Sequence, residues 1–254
     1  MNKYNVYKYI DKNHSLKTML YNYEDLININ NFPIIIKPNM YSGHGTNVHK
    51  INNTNELENI LKKIKNKSYI VQEFYDSKYE VGLLYEKNPL CDNGKIISIV
   101  LKQKYNNDWK PLSCDNIMYK KNVCSTVNRD DLITKELSYI INNVSKNIPN
   151  FNAGRYDIGF DEIDEFKKGK FKVFELNGNT GADLRCNITS YNINKDNMNN
   201  ILYLLRFVIV RIYYGFINLI INKYECAIIL SETLKRIKLL YNSNEIGHIL
   251  SPSF

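Results

Sequence analysis

At 254 residues, with 24% charged and 44% hydrophobic side chains, the chain has the make-up of a folded globular protein of one large or two small domains, not of a disordered one. Its formal charge of +8 favours anionic ligands, yet the lysines are dispersed among Asn, Ile and Tyr without a basic helix or zinc-finger spacing, which sets sequence-specific nucleic-acid binding aside. Five cysteines without CxxC spacing argue against a disulfide framework or a structural zinc, and the N-terminus lacks the apolar core of a signal peptide, so the cytoplasm is the expected compartment.

Residues 1 to about 30 are polar, with room for a short helix and for a strand near 16–20. Neither GxGxxG nor a Walker A lysine motif occurs, so a Rossmann site and a P-loop are both unsupported. Residues 32–38, FPIIIKP, then read as a buried strand closed by Lys37, whose ammonium needs an anion or water there. The following stretch, 39–49, contains Ser42, Gly43 and Gly45. Its backbone N–H groups suit a phosphate, although a plain hairpin turn fits the same residues. From Asn53 the period changes: Asn53 and Glu56 form a capping-box pattern, and Leu57, Ile60, Leu61 and Ile64 predict an amphipathic helix.

Residues 69–85 read as strand, short turn, strand, with Glu73 and Glu80 flanking the turn. Such carboxylates are usually solvated, but they can also hold an adenine amino group and ribose hydroxyls. Another strand is predicted over 96–104, with Lys102 and Lys104 on one face. The polar stretch 105–129 reads as irregular cover, and 130–148 as a helix with a buried stripe from Leu132 to Val144.

Residues 151–185 hold the densest chemistry. Alternation along the strand around 155–158 puts Arg155 and Asp157 on one face, and the strand over 171–177 does the same for Glu175 and Asn177. The Lys-rich connection 161–170 reads as a hairpin loop. If the strands pair, Asp157, Glu175 and Asn177 form an oxygen cluster suited to Mg²⁺ on substrate phosphates, with Arg155 beside it for a phosphoryl oxygen. A solvated hairpin is the bland alternative. Finally, residues 201–221 are apolar over a membrane-span length, but Arg206 and Arg211 would each cost roughly 2.5–3.5 kcal/mol near a bilayer centre. A buried C-terminal helix is the expectation, and attachment to a membrane surface is the weaker reading.

Taken in order, Lys37-Pro38, the glycine stretch, the helix, Gln72-Glu73-Phe74 with Glu80, Lys102, GRYD at 154–157 and ELN at 175–177 resemble the ATP-grasp superfamily. The similarity runs over about residues 30–185 and is nearest to the D-alanine:D-alanine ligase branch. It implies an α+β fold with two lobes of antiparallel sheet gripping a nucleotide: an ATP-grasp domain over 1–185, small lobe about 30–72 and large lobe about 73–185, then a helical extension over 186–254 packed on the large lobe. The N-terminal domain of that branch is expected to be absent or reduced.

The resemblance implies that Lys37 and the loop at Ser42, Gly43 and Gly45 contact ATP phosphates, that Glu73 and the backbone at Phe74 hold adenine, and that Glu80 holds ribose. Lys102, or less well Lys104, meets the triphosphate, and Lys3 is a further candidate. Asp157, Glu175 and Asn177 hold Mg²⁺, with Mn²⁺ as a substitute, and Arg155 lies beside them. Arg185 is the candidate for an acceptor carboxylate, because a guanidinium grips that group in a bidentate manner. The implied activity is ATP-dependent ligation of a small carboxylate to an amine through an acyl-phosphate, giving an amide or peptide bond. A phosphotransferase or a non-ligating nucleotide binder on the same fold is the alternative, and a membrane-surface or partner-docking role for 201–221 belongs to another class. No nucleic-acid partner is expected, and the oligomeric state is open, a homodimer among the options.

Overall fold

The computed structural model describes residues 3–39, 47–64, 68–104, 124–178, 184, 205–206 and 208–217. Strands β1 (Thr18–Asn22), β2 (Ile34–Pro38), β3 (His49–Ile51) and β4 (Ser68–Glu73) form an antiparallel sheet in the order β1-β4-β2-β3. Strands β5 (Tyr79–Glu86), β6 (Lys95–Lys104), β7 (Cys124–Asn128), β8 (Ala153–Phe160) and β9 (Lys172–Asn177) form a second antiparallel sheet in the order β7-β6-β5-β8-β9. This is the α+β architecture with two antiparallel sheets that the sequence implied.

In the smaller sheet β2 lies between β4 and β3, and all five of its residues are buried, which is why it reads as an unbroken apolar run. Alternation splits its faces. Ile34 and Ile36, with Tyr69 and Val71 of β4, pack against Leu57 of helix α2 (Thr54–Leu61), while Lys37 and Gln72 fall on the opposite face. Asn53 caps α2 as expected, its side chain accepting from the Glu56 amide at 3.0 Å. The Glu56 carboxylate reaches back to the Asn52 amide at 2.8 Å, one residue earlier than the capping-box pattern places it. Asn53→Ala is expected to cost about 1 kcal/mol, read as a lower denaturation midpoint; an unchanged midpoint would show that the cap contributes nothing.

The larger sheet has its main apolar cluster on one face, although Leu84 and Val100 are buried on the other. Val81, Leu83 and Tyr85 of β5, Ile99 and Leu101 of β6, Tyr156 and Ile158 of β8 and Val173 of β9 pack against Leu137, Ile141 and Val144 of helix α3 (Lys135–Lys146). Their neighbours in sequence therefore face the other way, and that face carries the charged residues.

Four expectations are corrected. The segment 105–129 is not wholly irregular, since Cys124–Asn128 pairs with β6; its short polar run has no apolar alternation, and the ladder supplies the strand. The helix over 130–148 begins as a 3₁₀ turn at Asp130–Leu132, and α3 starts only after Thr134, whose hydroxyl accepts from the Leu137 amide at 3.0 Å. The connection 161–170 holds a short helix, α4 (Ile163–Lys167), pinned because Phe166 stacks on Phe160 at 4.2 Å. The strand, short turn, strand reading of 69–85 holds: the chain passes from the smaller sheet to the larger after Glu73, and the crossing is held by Asp161, which accepts from the Tyr75 hydroxyl at 2.5 Å and the Lys78 amide at 3.0 Å.

The last correction concerns the apolar C-terminal run. Residues 208–217 are helical, but the arginines are turned inward, and Arg206 donates to the buried Glu86 carboxylate at 2.6 and 3.2 Å while Arg211 lies 3.7 Å from it. Leu205, Ile209, Ile212, Tyr213 and Phe216 are exposed instead. One buried acid therefore reverses the expected inside and outside of this helix. Among the described residues no helix is long and apolar enough to cross a membrane.

Candidate functional site

β8 and β9 pair as the residue pattern required: Arg155 stands opposite Asn177, and Asp157 opposite Glu175. One position past that point the register slips, since Ile158 pairs with Val173 and leaves Phe174 as an extra residue in β9. This bulge decides the site. Without it Val173 and Glu175, two apart, would share a face. With it Val173 is fully buried in the core while Glu175 and Asn177 lie with Asp157 on the polar face.

Asp157 is the hub. Its Oδ1 accepts from Lys102 Nζ at 3.0 Å and Arg155 Nε at 3.1 Å, and its Oδ2 from Asn177 Nδ2 at 2.9 Å and Arg155 Nη2 at 3.3 Å. Lys102 also donates to Glu80 Oε1 at 2.6 Å, because β6 and β5 place these two residues directly opposite. Gly82, opposite Asp157 on β5, leaves the room: a Cβ there would lie 3.1 Å from Arg155 Cδ and 2.3 Å from Leu184 Cδ1. Burial disfavours the Asp157 carboxylate, but the Arg155 guanidinium and Lys102 ammonium outweigh it and hold its pKa at about 2. It is an anion under all ordinary conditions.

A second group of contacts joins the two sheets. Lys37 Nζ donates to the Tyr7 hydroxyl at 2.7 Å, to Gln72 Oε1 at 3.0 Å and to the Phe174 carbonyl at 3.0 Å. Tyr7 ends the short helix α1 (Lys3–Tyr7), and its hydroxyl donates to the same carbonyl at 2.7 Å. From the start of α1, Lys3 Nζ meets Glu175 Oε1 at 2.8 Å. Burial lowers the Lys37 pKa to about 8 against the opposing pull of Glu175, and burial together with Glu175 raises that of Tyr7.

The sequence candidates are thus placed as follows. Asp157, Glu175, Asn177, Arg155, Lys102 and Glu80 stand on one face of the larger sheet, and Lys37 reaches the same sheet from the smaller one. Glu73 lies apart from them: it is exposed, and its carboxylate accepts from the Lys17 amide at 2.9 Å. The Phe74 amide donates to the Pro33 carbonyl at 3.2 Å, and its ring lies 3.8 Å under Lys50 Nζ. Ser42, Gly43, Gly45 and Arg185 lie outside the described residues, as does the Lys104 side chain. Tyr7 and Gln72 were not singled out as site residues from the sequence. Signals existed for both: Tyr7 is four residues after Lys3 and shares its helix face, and Gln72 is a polar residue inside an apolar strand.

Among the described residues no group of three or more His, Cys, Asp and Glu side chains is gathered as a metal cage. Two opposed carboxylates and an amide are the smaller oxygen set that suits Mg²⁺ when phosphates and water complete its shell. An open groove of about 600 Å³ along α3, lined by Asn93, Thr134, Ser138 and Asn142 among others, contains none of the candidate residues.

No protein-family model and no curated protein matches the chain. Among solved structures it is similar to the L-amino acid ligase from Bacillus licheniformis, at 15% identity and a TM-score of 0.47 over 70% of this chain and 40% of that one. It is also similar to the VanG D-Ala:D-Ser ligase from Enterococcus faecalis, at 17% identity and a TM-score of 0.47 over 79% of this chain and 57% of that one. A third similar structure is a carboxyaminoimidazole ribonucleotide synthase from Aspergillus clavatus complexed with ATP, at 12% identity and a TM-score of 0.49 over 69% and 44%. The chain therefore spans about half the length of the proteins it matches.

Proposed function

We propose that this chain is an ATP-grasp type, ATP-dependent ligase that activates a small carboxylate for attack by an amine. The observation that carries the reading is the meeting, on one sheet face, of Asp157, Glu175 and Asn177 with the cations Lys102, Arg155 and Lys3, while Lys37 arrives from the other sheet. A site that transfers a phosphoryl group needs oxygen ligands for a divalent ion and fixed positive charge for the phosphate oxygens, close together and partly shielded from water.

Each part has a role in this reading. Asp157, Glu175 and Asn177 hold Mg²⁺, or Mn²⁺ in its place, which when bound supplies charge neutralisation at the phosphates. Lys37, Lys102 and Arg155 face the phosphoryl oxygens, Glu80 takes the ribose, and Glu73 with the Phe74 backbone takes the adenine. Ser42, Gly43 and Gly45 cover the phosphates, and Arg185 grips the acceptor's carboxylate. No covalent nucleophile is required. Residues 1–185 act as the nucleotide-gripping unit, and 186–254 pack on the larger sheet, a placement supported by Arg206 and Arg211 on Glu86.

The test is direct. A saturating excess of MgATP is expected to raise the melting temperature, since 100 Kd of ligand stabilises by about 2.7 kcal/mol, and MgGTP is expected to do so less. ADP release should then appear with one member of a panel of amino acids and short peptides. No shift with either nucleotide overturns the reading, and ADP release that needs no amine turns it toward a phosphotransferase.

A further inference from the structure

We infer that Tyr7 is a positioning residue for Lys37: its hydroxyl holds the ammonium in place and lets it exchange the Phe174 carbonyl for a phosphoryl oxygen. This rests on the reading of Lys37 as a phosphate contact. An ammonium has three donors, and Lys37 spends all three, on Tyr7, Gln72 and the Phe174 carbonyl. Meeting a phosphate must therefore break one of these bonds. The carbonyl belongs to the bulge residue of β9, which the β8–β9 ladder leaves out, so an unpaired oxygen would remain if Lys37 were its sole donor.

Tyr7 removes that obstacle. Its hydroxyl donates to the same carbonyl at 2.7 Å and accepts from Lys37 at 2.7 Å. Lys37 can leave the carbonyl for a phosphate with the carbonyl still paired and the ammonium still anchored. Gln72 is fixed in the matching orientation, because its Nε2 donates to Thr18 Oγ1 at 3.0 Å and Thr18 in turn donates to the Leu16 carbonyl at 2.9 Å. Charged and titratable groups face this ammonium from three elements: Tyr7 and Lys3 from α1, Asp157 from β8 and Glu175 from β9.

The experiment is a calorimetric cycle with ATP and Mg²⁺ on the wild type, Tyr7→Phe, Lys37→Met and the double variant, each checked for folding by its melting curve. Tyr7→Phe keeps the ring and is expected to weaken ATP binding roughly tenfold, the scale of one hydrogen bond to a charged group. In the Lys37→Met background the same change is expected to do almost nothing. A merely structural tyrosine would not alter the pH profile either. Wild-type affinity should decline as pH rises through about 8, where Lys37 loses its proton, and in Tyr7→Phe the decline should move to lower pH, because the charged form has lost an acceptor.

Wild-type binding with an unaltered Tyr7→Phe, or a Tyr7→Phe loss that persists in full without Lys37, overturns the positioning role and leaves the nucleotide reading standing. A wild type that binds no ATP overturns both. Should Tyr7→Phe melt before it can be titrated, Gln72→Leu supplies the same cycle on the orienting amide: a loss of ATP affinity that disappears without Lys37 supports the anchored ammonium, and an additive loss overturns it.

Discussion

Asp157→Asn is expected to lower the stability of the nucleotide-free protein by about 3–5 kcal/mol, the cost of removing one partner from a buried ionic cluster. The size follows from what is left behind. Lys102, with a side chain 4% exposed, and Arg155, at 14%, both spend donors on this carboxylate, and an amide returns one acceptor oxygen while turning an N–H group toward other donors. Denaturant unfolding at neutral pH measures the difference, and a loss below about 1 kcal/mol would show a cluster that adds nothing beyond an exposed pair. The pH dependence has a definite sign. The Asp157 pKa is depressed from its ordinary 3.8 to about 2, so its contribution is complete above about pH 4 and is lost as pH falls through about 2. The stability gap between wild type and Asp157→Asn should narrow across that window.

Glu175→Gln is expected to behave differently, losing Mg²⁺-dependent ADP release by roughly 10²–10³-fold, the scale of one preorganised electrostatic contact, while melting near the wild-type temperature. Glu175 is 29% exposed and pairs with Lys3, itself 22% exposed, and such pairs contribute little to stability. The half-saturating Mg²⁺ concentration should rise as well, because an amide oxygen is a weaker ligand than a carboxylate. Undiminished turnover would remove Glu175 from the metal set. The two acids stand opposite each other on paired strands, and comparing the variants separates the role of holding the sheet face together from the role of serving a ligand.

Much of this arrangement was legible in the residue order. The apolar run of β2, the cap at Asn53, the 3.6-residue stripe of α3 and the alternation that groups Arg155 with Asp157 are local patterns, and local patterns survive folding because they record which side of an element meets the core. Less legible were the elements whose reason lies elsewhere in the chain. β7 exists because β6, twenty or more residues earlier, offers an edge. The 205–217 segment is turned around by Glu86, a residue more than a hundred positions away. No window of neighbouring residues contains these partners.

Composition and period by themselves determined a folded chain of mixed strands and amphipathic helices, the ordered motifs implied its α+β class, and chemistry by itself nominated two acids, an amide and a set of cations. Only the tertiary structure decided which of them touch. The bulge at Phe174 put Val173 and Glu175 on opposite faces although simple alternation assigns them to one, and the same extra residue turned a backbone carbonyl toward Tyr7 and Lys37. A register slip is a property of two strands together. It depends on how both fit the core beneath them, and neither strand's own sequence encodes it.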